Sequence, residues 1–207
     1  NPQARVLGLP IIGSHVGADT AACLLAIGMA ELKRPVMLVD VGTNTEVVVG
    51  HRDRMIACSC PAGPAFEGGL ITHGMPAYEG AIEALTWENE RFTYQTIGDT
   101  PPEGICGSGL IDLVAELRRH DMITPKGVFT ANRRLKQVDV VPSVITFSRA
   151  DASALAQAKA ANYCGQVIAM RHFGVNPDEL DRLYLAGGFA TYVNPANAID
   201  IGMLAPV

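Results

Sequence analysis

The feature that most constrains the fold is a series of three short apolar segments between residues 36 and 60. The first, Val-Met-Leu-Val-Asp-Val-Gly at 36–42, is an apolar run that ends in aspartate and glycine, as a buried strand often does. Two further strands are predicted at 46–50 and 54–59, and the intervals between the segments are short enough for tight turns. Together the segments predict an antiparallel β-meander over residues 36–60.

Helices and strands alternate through most of the rest of the chain. Apolar spacing and helix-ending residues predict helices at 15–32, 77–85, 110–120 and 151–173, and a last helix that begins at Asn194-Pro195. Short apolar runs predict strands at 91–97, 140–147 and 182–186, and a glycine- and proline-rich loop is predicted at 61–76. This order predicts an α/β domain in which helices cover a mixed sheet.

Composition excludes several classes of protein. Of the 207 residues, 48% are apolar and 18% are charged, which favours a packed core over disorder. The net charge is −5 without a long basic run, so nothing predicts a nucleic-acid or anionic-membrane partner. No apolar run approaches the roughly 20 residues of a membrane helix. Five cysteines, an odd number in a chain of this length, predict reduced thiols and a cytoplasmic location.

The strongest local signal for function is the segment Asp40-Val41-Gly42-Thr43-Asn44-Thr45-Glu46. A strand delivers an aspartate at its end, and Gly42 lets the backbone turn tightly beside a ligand. Thr43, Asn44 and the turn N–H groups could hold phosphate oxygens while Asp40 binds Mg²⁺ through water. An ordinary hairpin with a polar turn is the alternative interpretation.

Two glycine-containing segments also suit a nucleotide. Gly187-Gly188-Phe189 follows a predicted buried strand, where bare backbone would admit a flat group such as a nucleobase or ribose. Gly107 and Ser108 open a predicted helix, whose free N–H groups and dipole favour an anion. The alternatives are a strand-to-helix turn at the first segment and simple serine capping at the second.

The remaining candidates are single residues. Glu67 is the one carboxylate in the segment Cys58–Gly69 and could orient water or bind Mg²⁺, or could merely be solvated. Cys58 and Cys60 have no second matching pair, which argues against a zinc or cluster site. Lys159 on the long helix could lie over a nucleobase, although a solvated lysine is the default.

Three stretches are specific enough to indicate a family. They are Cys-Ser-Cys-Pro-Ala-Gly-Pro-Ala-Phe-Glu-Gly at 58–68, Gly-Ile-Cys-Gly-Ser-Gly-Leu-Ile-Asp at 104–112 and Leu-Ala-Gly-Gly-Phe-Ala at 185–190. Taken in order with the segment at 40–46, they resemble the C-terminal domain of the reductive activators of corrinoid proteins. Those activators belong to the superfamily of actin, the heat-shock chaperone ATPases and the sugar and acetate kinases. The resemblance covers nearly the whole chain.

The resemblance implies an RNase H-like, actin-like ATPase lobe with a mixed sheet flanked by helices. Residues 36–60 would form its phosphate-binding meander, and residues 182–204 its adenosine motif and a connecting helix at 195–204. ATP and Mg²⁺ would be the ligands, and the catalytic base stays open between Glu46 and Glu67. The implied nucleotide-binding residues are Asp40, Gly42, Thr43, Asn44, Gly107, Ser108, Lys159, Gly187, Gly188 and Phe189.

The resemblance also implies an activity that needs further domains. In these activators a [2Fe–2S] ferredoxin-like domain supplies an electron, and ATP hydrolysis helps return the corrinoid protein of a methyltransferase system from Co(II) to Co(I). Residues 1–207 have no four-cysteine plant-type spacing, so the iron–sulfur domain is expected in a preceding part of a longer protein. We expect this chain to be most of one lobe, the second, of that protein's ATPase domain.

Other functions stay open from the residues alone. A small-molecule kinase or a dehydratase-type activator of the same superfamily would share the fold. A non-catalytic docking module would hold a corrinoid protein and use nucleotide only to set its conformation. Self-association into a homodimer is also expected to be feasible, because a half-cleft of apolar composition leaves surface to cover.

Overall fold

A mixed four-stranded sheet occupies the centre of the structure, a computed structural model that describes residues 2–130, 136–188 and 190–207. The predicted meander is confirmed: β1 (Val36–Val41), β2 (Asn44–His51) and β3 (Arg54–Pro61) pair antiparallel in sequence order. A later strand, β9 (Leu183–Ala186), pairs parallel with β1, which gives the order β3-β2-β1-β9. This pairing brings the glycines after β9 beside the end of β1.

A second sheet overturns one helix prediction. The predicted helix at 77–85 is wrong, because β4 (Ala81–Glu88) is a strand between β5 (Arg91–Thr96) and β6 (Gly104–Ile105). Alanine and glutamate favour a helix locally, but Ile82 and Leu85 are both buried in the core and the backbone of the segment pairs with two strands. Tertiary pairing therefore overrides the local propensity.

The segment predicted as one strand at 140–147 is a hairpin. Its strands are β7 (Gln137–Val141) and β8 (Ile145–Ser148), which pair antiparallel. Ser143 in the connecting turn has φ 63°, a left-handed conformation that ends the first strand. The single-strand prediction was wrong because the apolar pattern continues across this turn.

The described helices flank the sheets. They are α1 (Ala18–Ala26), α2 (Gly107–Arg119), α3 (Arg149–Phe173) and α4 (Pro195–Asp200). Two are shorter than predicted: Gly28 is left-handed at φ 66° and separates α1 from a 3-10 turn, and α4 ends at Asp200 rather than 204. No helix within the described residues combines the length and apolar character needed to cross a bilayer.

The two faces of the four-stranded sheet have different environments. Val47 and Val49 face α3 and join the main core, whereas Leu38 and Val48 face α1 and form a smaller cluster. Side chains alternate along a strand, so Asp40 lies on the α1 face with Leu38. This alternation decides which functional side chains can meet.

Asp151 ties the start of α3 to the loop before β4. Its carboxylate accepts hydrogen bonds from Ser148 N and Oγ at 2.8 and 2.6 Å, and from Thr72 N and Oγ1 at 2.8 and 3.0 Å. Burial alone would raise the pKa of Asp151, but these hydrogen bonds outweigh it and hold the pKa below the ordinary value. The charged form is therefore the one that stabilises the fold.

We expect Asp151→Asn to lower the free energy of unfolding by about 2 kcal/mol at neutral pH, because an amide cannot accept all four hydrogen bonds. A depressed pKa adds stability that is complete above the unfolded value of 3.8 and is lost as pH falls through the folded value. Urea unfolding near neutral pH and below about pH 4 measures both effects. Wild type should lose more stability on acidification than Asp151→Asn, and the exposed control Asp139→Asn should follow wild type. Equal acid slopes would contradict the assignment.

Candidate functional site

One cavity of about 740 Å³ lies where the ends of β1 and β9 approach β4 and the start of α2. A cavity of this size suits a small-molecule ligand rather than a single ion. The predicted site residues that line it are Gly42, Glu67, Gly107, Ser108 and Gly188. The structure therefore brings together residues from all the glycine-containing segments that the sequence singled out.

The β1–β2 turn holds Glu67 against the cavity. Thr43 Oγ1 donates to Glu67 Oε1 at 2.6 Å, and the Thr43 carbonyl accepts from Gly63 N at 2.8 Å. These two contacts join the turn to the 3-10 helix Pro64–Glu67 inside the predicted loop. Thr43 thus positions a carboxylate beside the turn, while Asn44 is exposed and starts β2.

Asp40 and Glu46 lie on the α1 face of the sheet and do not line this cavity. Asp40 Oδ2 accepts from the Cys23 thiol at 3.9 Å, and Glu46 Oε1 accepts from Ser59 Oγ at 2.8 Å. Burial, followed by the charge of Asp19, raises the pKa of Asp40. Burial also raises the pKa of Glu46, although its hydrogen bond from Ser59 opposes that shift.

The two glycines after β9 have different roles. Gly187 has φ 106°, and a Cβ there would lie 2.3 Å from the carbonyl oxygen of Val41. Gly188 lines the cavity, and a Cβ there would meet no described atom within 4 Å. Gly187 is therefore required for packing against β1, and Gly188 leaves open space for a ligand. Phe189, the third predicted residue, lies outside the described residues.

The start of α2 points backbone N–H groups at the cavity. Its N-cap is Cys106, and no side chain of a described residue caps it, so the N–H groups of the first turn lack the usual capping partner. Ser108 Oγ donates to the Glu83 carbonyl at 2.7 Å, which fixes the helix to β4 rather than to a ligand. The helix dipole and these N–H groups favour an anion here.

Lys159 is not brought to the cavity. It lies on α3 near Gly202, where an added Cβ would be 3.8 Å from Lys159 Nζ. Burial and then the charge of Arg118 lower the pKa of Lys159. The geometry therefore separates Lys159 from the other predicted nucleotide-binding residues, and its proposed stacking on a nucleobase is not supported by its position.

Sequence reasoning missed several residues of the cavity wall. Glu83 lines it from β4, and Tyr192 from the 3-10 helix Ala190–Tyr192. Glu83 lay in the segment predicted as a helix, so its position facing the cavity could not be inferred. The segment 81–88 shows no regular apolar–polar alternation that would mark Glu83, and no sequence pattern marks Tyr192.

The carboxylates near the cavity suit a cation that takes most of its ligands from water and from a bound nucleotide. No group of three or more His, Cys, Asp or Glu among the described residues is arranged to hold a metal. Mg²⁺ ordinarily binds one or two protein carboxylates, several waters and the phosphates of its nucleotide. Glu67 on the cavity wall therefore fits Mg²⁺ that arrives with a nucleotide, whereas the Asp40 carboxylate faces α1.

The sequence of this chain is similar to a known protein family and to individual proteins of known activity. The family model described as the C-terminal domain of RACo, the ASKHA domain, matches residues 34–207. The corrinoid activation enzyme RamQ of Eubacterium limosum is 33% identical over 235 residues, covering 100% of this chain and 38% of RamQ. The [Co(II) methylated amine-specific corrinoid protein] reductase of Methanosarcina barkeri is 27% identical over 224 residues, covering 97% of this chain and 40% of that protein.

A solved structure is similar over the same length. The reductive activator for corrinoid,iron-sulfur protein superimposes with a TM-score of 0.86 at 35% sequence identity, covering 96% of this chain and 35% of that one. The chain therefore spans well under half the length of the relatives that it matches. The likeness accounts for the mixed sheets and their flanking helices.

Proposed function

We propose, from the premise that this chain belongs to the family of the C-terminal ASKHA domain of RACo, that it binds ATP in the cavity between β1, β9 and α2. An ASKHA domain by itself suggests nucleotide binding. The observation that carries the proposal is the convergence of Gly42, Gly188 and the first turn of α2 on one cavity. The flat adenine base or the ribose would lie against Gly188. The phosphates would accept hydrogen bonds from the N–H groups of the β1–β2 turn and of the first turn of α2.

Mg²⁺ is proposed to accompany the nucleotide. Asp40 would hold it through water from the end of β1, and Glu67, beside the β1–β2 turn, is a carboxylate that lines the cavity. When bound, Mg²⁺ neutralises charge that develops on the transferred phosphoryl group. Burial, followed by the charge of Asp19, raises the pKa of Asp40, and a cation bound there would stabilise its charged form.

Glu67 is the better candidate to orient the attacking water. It lines the cavity, and the hydrogen bond from Thr43 holds its carboxylate in place. Glu46, the other candidate, faces α1, and its carboxylate accepts a hydrogen bond from Ser59 Oγ. A carboxylate that positions water without forming a covalent bond suits phosphoryl transfer, where catalysis consists mainly of positioning and charge stabilisation.

The activity of the longer protein is proposed from its relatives' names. One relative is a corrinoid activation enzyme and another is a Co(II) corrinoid protein reductase. We propose that ATP hydrolysis here helps drive reduction of a corrinoid protein from Co(II) to Co(I) in the cytoplasm. The electron would come from a [2Fe–2S] domain outside residues 1–207, and the partner would belong to a corrinoid-dependent methyltransferase system. Homodimer formation stays a prediction.

Filling the cavity should abolish nucleotide binding. We expect Gly188→Leu to weaken binding of Mg-ATP at least about 30-fold, because the added side chain enters the space that the ligand needs. Isothermal titration of the full-length protein with Mg-ATP and with a non-hydrolysable analogue measures the effect. Gly8→Leu is the matched control, since a Cβ at Gly8 also meets no described atom within 4 Å and Gly8 does not line the cavity.

Two outcomes of this titration would contradict the proposal. Equal affinities for wild type and Gly188→Leu would place the nucleotide elsewhere. Absence of binding by the full-length wild type would rule out the ATPase function and favour a docking module for the corrinoid protein.

A further inference from the structure

We propose that Asn197 is a positioning residue for the nucleotide cavity, because its side chain links the two walls between which the nucleotide would lie. This inference rests on the proposed binding of ATP in that cavity. One wall is the first turn of α2, which includes Ser108, and the other contains Gly188 and Tyr192. Asn197 lies on α4, five residues after Tyr192, and it donates a hydrogen bond to Asp112, four residues after Ser108 on α2.

A stripe of buried polar side chains attaches α2 to β4. Ser108, Asp112 and Glu116 are spaced by four residues, so they lie on one face of the helix, and each is at least nine-tenths buried. β6 is two residues long and pairs only with the start of β4, and the stripe binds the backbone of β4 beyond it. Ser108 Oγ donates to the Glu83 carbonyl at 2.7 Å, Leu85 N donates to Asp112 Oδ2 at 3.4 Å, and Trp87 N donates to Glu116 Oε2 at 3.0 Å. These bonds fix the position of α2 along the strand.

The side-chain amide of Asn197 has one matched orientation. Its Nδ2 donates to Asp112 Oδ1 at 2.7 Å, and its Oδ1 accepts from Arg119 Nη2 at 2.9 Å. A carboxylate accepts and a guanidinium only donates, so a flipped amide would place acceptor against acceptor and donor against donor. Asn197 is only 8% exposed, so a mismatched group there would be poorly hydrated. The amide therefore fits between Asp112 and Arg119 in a single way.

α4 depends on few buried residues. It is six residues long, and its buried residues are Asn197 and Ala198. The segment before it is held as well, since Val193 belongs to the main core and Asn194 Oδ1 accepts from two N–H groups of the first turn of α4. A displacement of Asn197 is therefore transmitted along this short segment to Tyr192 on the cavity wall.

The hydrogen bond from Asn197 also favours the charged form of Asp112. Burial raises the pKa of Asp112, and the hydrogen bonds from Asn197 and then from Leu85 N oppose that rise. A mismatched group at position 197 would leave a buried carboxylate without its main partner, which is costly. We therefore expect a mismatch to move α4 away from α2 and to change the separation of the two cavity walls.

The test exchanges the donor and the acceptor and measures Mg-ATP affinity by isothermal titration of the full-length protein. Asn197→Asp places two carboxylates face to face, and Asp112→Asn places two amides together while Arg119 opposes a flip. Each single variant should bind about tenfold more weakly than wild type. The double variant should bind within about threefold of wild type. In it the amide at 112 donates to the carboxylate at 197 and accepts from Leu85 N, and that carboxylate accepts from Arg119.

Two further variants complete the design. Asn194→Asp is the matched control, because it makes the same change three residues earlier at an exposed residue, and aspartate caps a helix as well as asparagine does. Its affinity should stay within about twofold of wild type. Arg119→Ala is the variant for which folding is least at risk, since the Arg119 side chain is 48% exposed. It removes the group that orients the Asn197 amide and should weaken binding about threefold. Thermal unfolding of each variant establishes that the titrated protein is folded.

Rescue by the double variant separates positioning from a contact that only stabilises the fold. A purely stabilising contact would leave the affinity of the folded variants unchanged, and that result would overturn the proposal. A double variant that binds as weakly as the single variants would overturn it as well. Failure of the full-length wild type to bind Mg-ATP would instead reject the proposed function. Normal binding by wild type, with a loss in Gly188→Leu and none in Asn197→Asp, would reject this inference alone.

Discussion

Gly187→Ala is expected to lower the free energy of unfolding by about 2–4 kcal/mol, because it combines a left-handed backbone with a steric clash. The residue has φ 106°, and the new Cβ would be 2.3 Å from the Val41 carbonyl oxygen. Since that oxygen belongs to the backbone of β1, it cannot rotate away as a side chain could. Relief requires β9 to move relative to β1, and their pairing holds the cavity in shape. Chemical denaturation of wild type and variant measures the loss.

Gly188→Ala is the matched control for this substitution. The same methyl group is added at the next residue, where it would meet no described atom within 4 Å. Its stability should stay within about 0.5 kcal/mol of wild type. Similar losses for the two variants would show that glycine at 187 is not required for the contact with β1.

Asp40→Asn is expected to lower the ATPase rate of the full-length protein at least about 100-fold while stabilising the fold. The rate would fall if, as proposed, Asp40 holds Mg²⁺ through water, because a neutral amide would bind the cation more weakly than the carboxylate. Stability rises because the carboxylate is half-buried near Asp19 and has a raised pKa. A group with a raised folded pKa costs stability above that pKa, and this cost vanishes below the unfolded value of 3.8.

Two measurements separate these effects. Steady-state ATP hydrolysis gives the rate, and thermal unfolding near neutral pH gives a stabilisation of up to about 1 kcal/mol, since solvent screens a partly exposed group. Asp53→Asn is the control, because its side chain is 70% exposed in the turn at the opposite end of the meander. If Asp40→Asn retains the hydrolysis rate, Asp40 is not part of the catalytic site. If the variant also loses stability, the role of Asp40 is structural.

Local patterns were sufficient for much of the fold and for part of the site. The run at 36–42 and the strands after it form the predicted meander, and the long helix is present as Arg149–Phe173. The family resemblance and the actin-like fold class are confirmed by the family model and by the solved relative. Motifs at Gly42, Gly107 and Gly188 do converge on one cavity. Each of these signals lies within a short stretch of chain, where periodicity and glycine placement act directly.

The other positions could not be predicted because they depend on pairing and packing between segments that are distant in the sequence. The segment at 81–88 is a strand because β5 and β6 pair with it, and nothing within the segment itself specifies those partners. Lys159 lies on a correctly predicted helix, but the packing of that helix directs it toward Gly202 rather than the cavity. Glu83 and Tyr192 join the wall for the same reason, since they come from elements that only the folded chain brings together.

The sequence by itself determined the β-meander, the long helix, the family and the glycine positions that surround a ligand cavity, because each depends on residues close together in the chain. Only the tertiary structure decided which carboxylate meets the cavity. The sequence assigned Asp40 to Mg²⁺ and left the base open between Glu46 and Glu67. Side-chain alternation turns Asp40 and Glu46 toward α1, and the Thr43 hydrogen bond holds Glu67 at the cavity. Contacts between residues 24 positions apart specify that arrangement, and no local pattern encodes them.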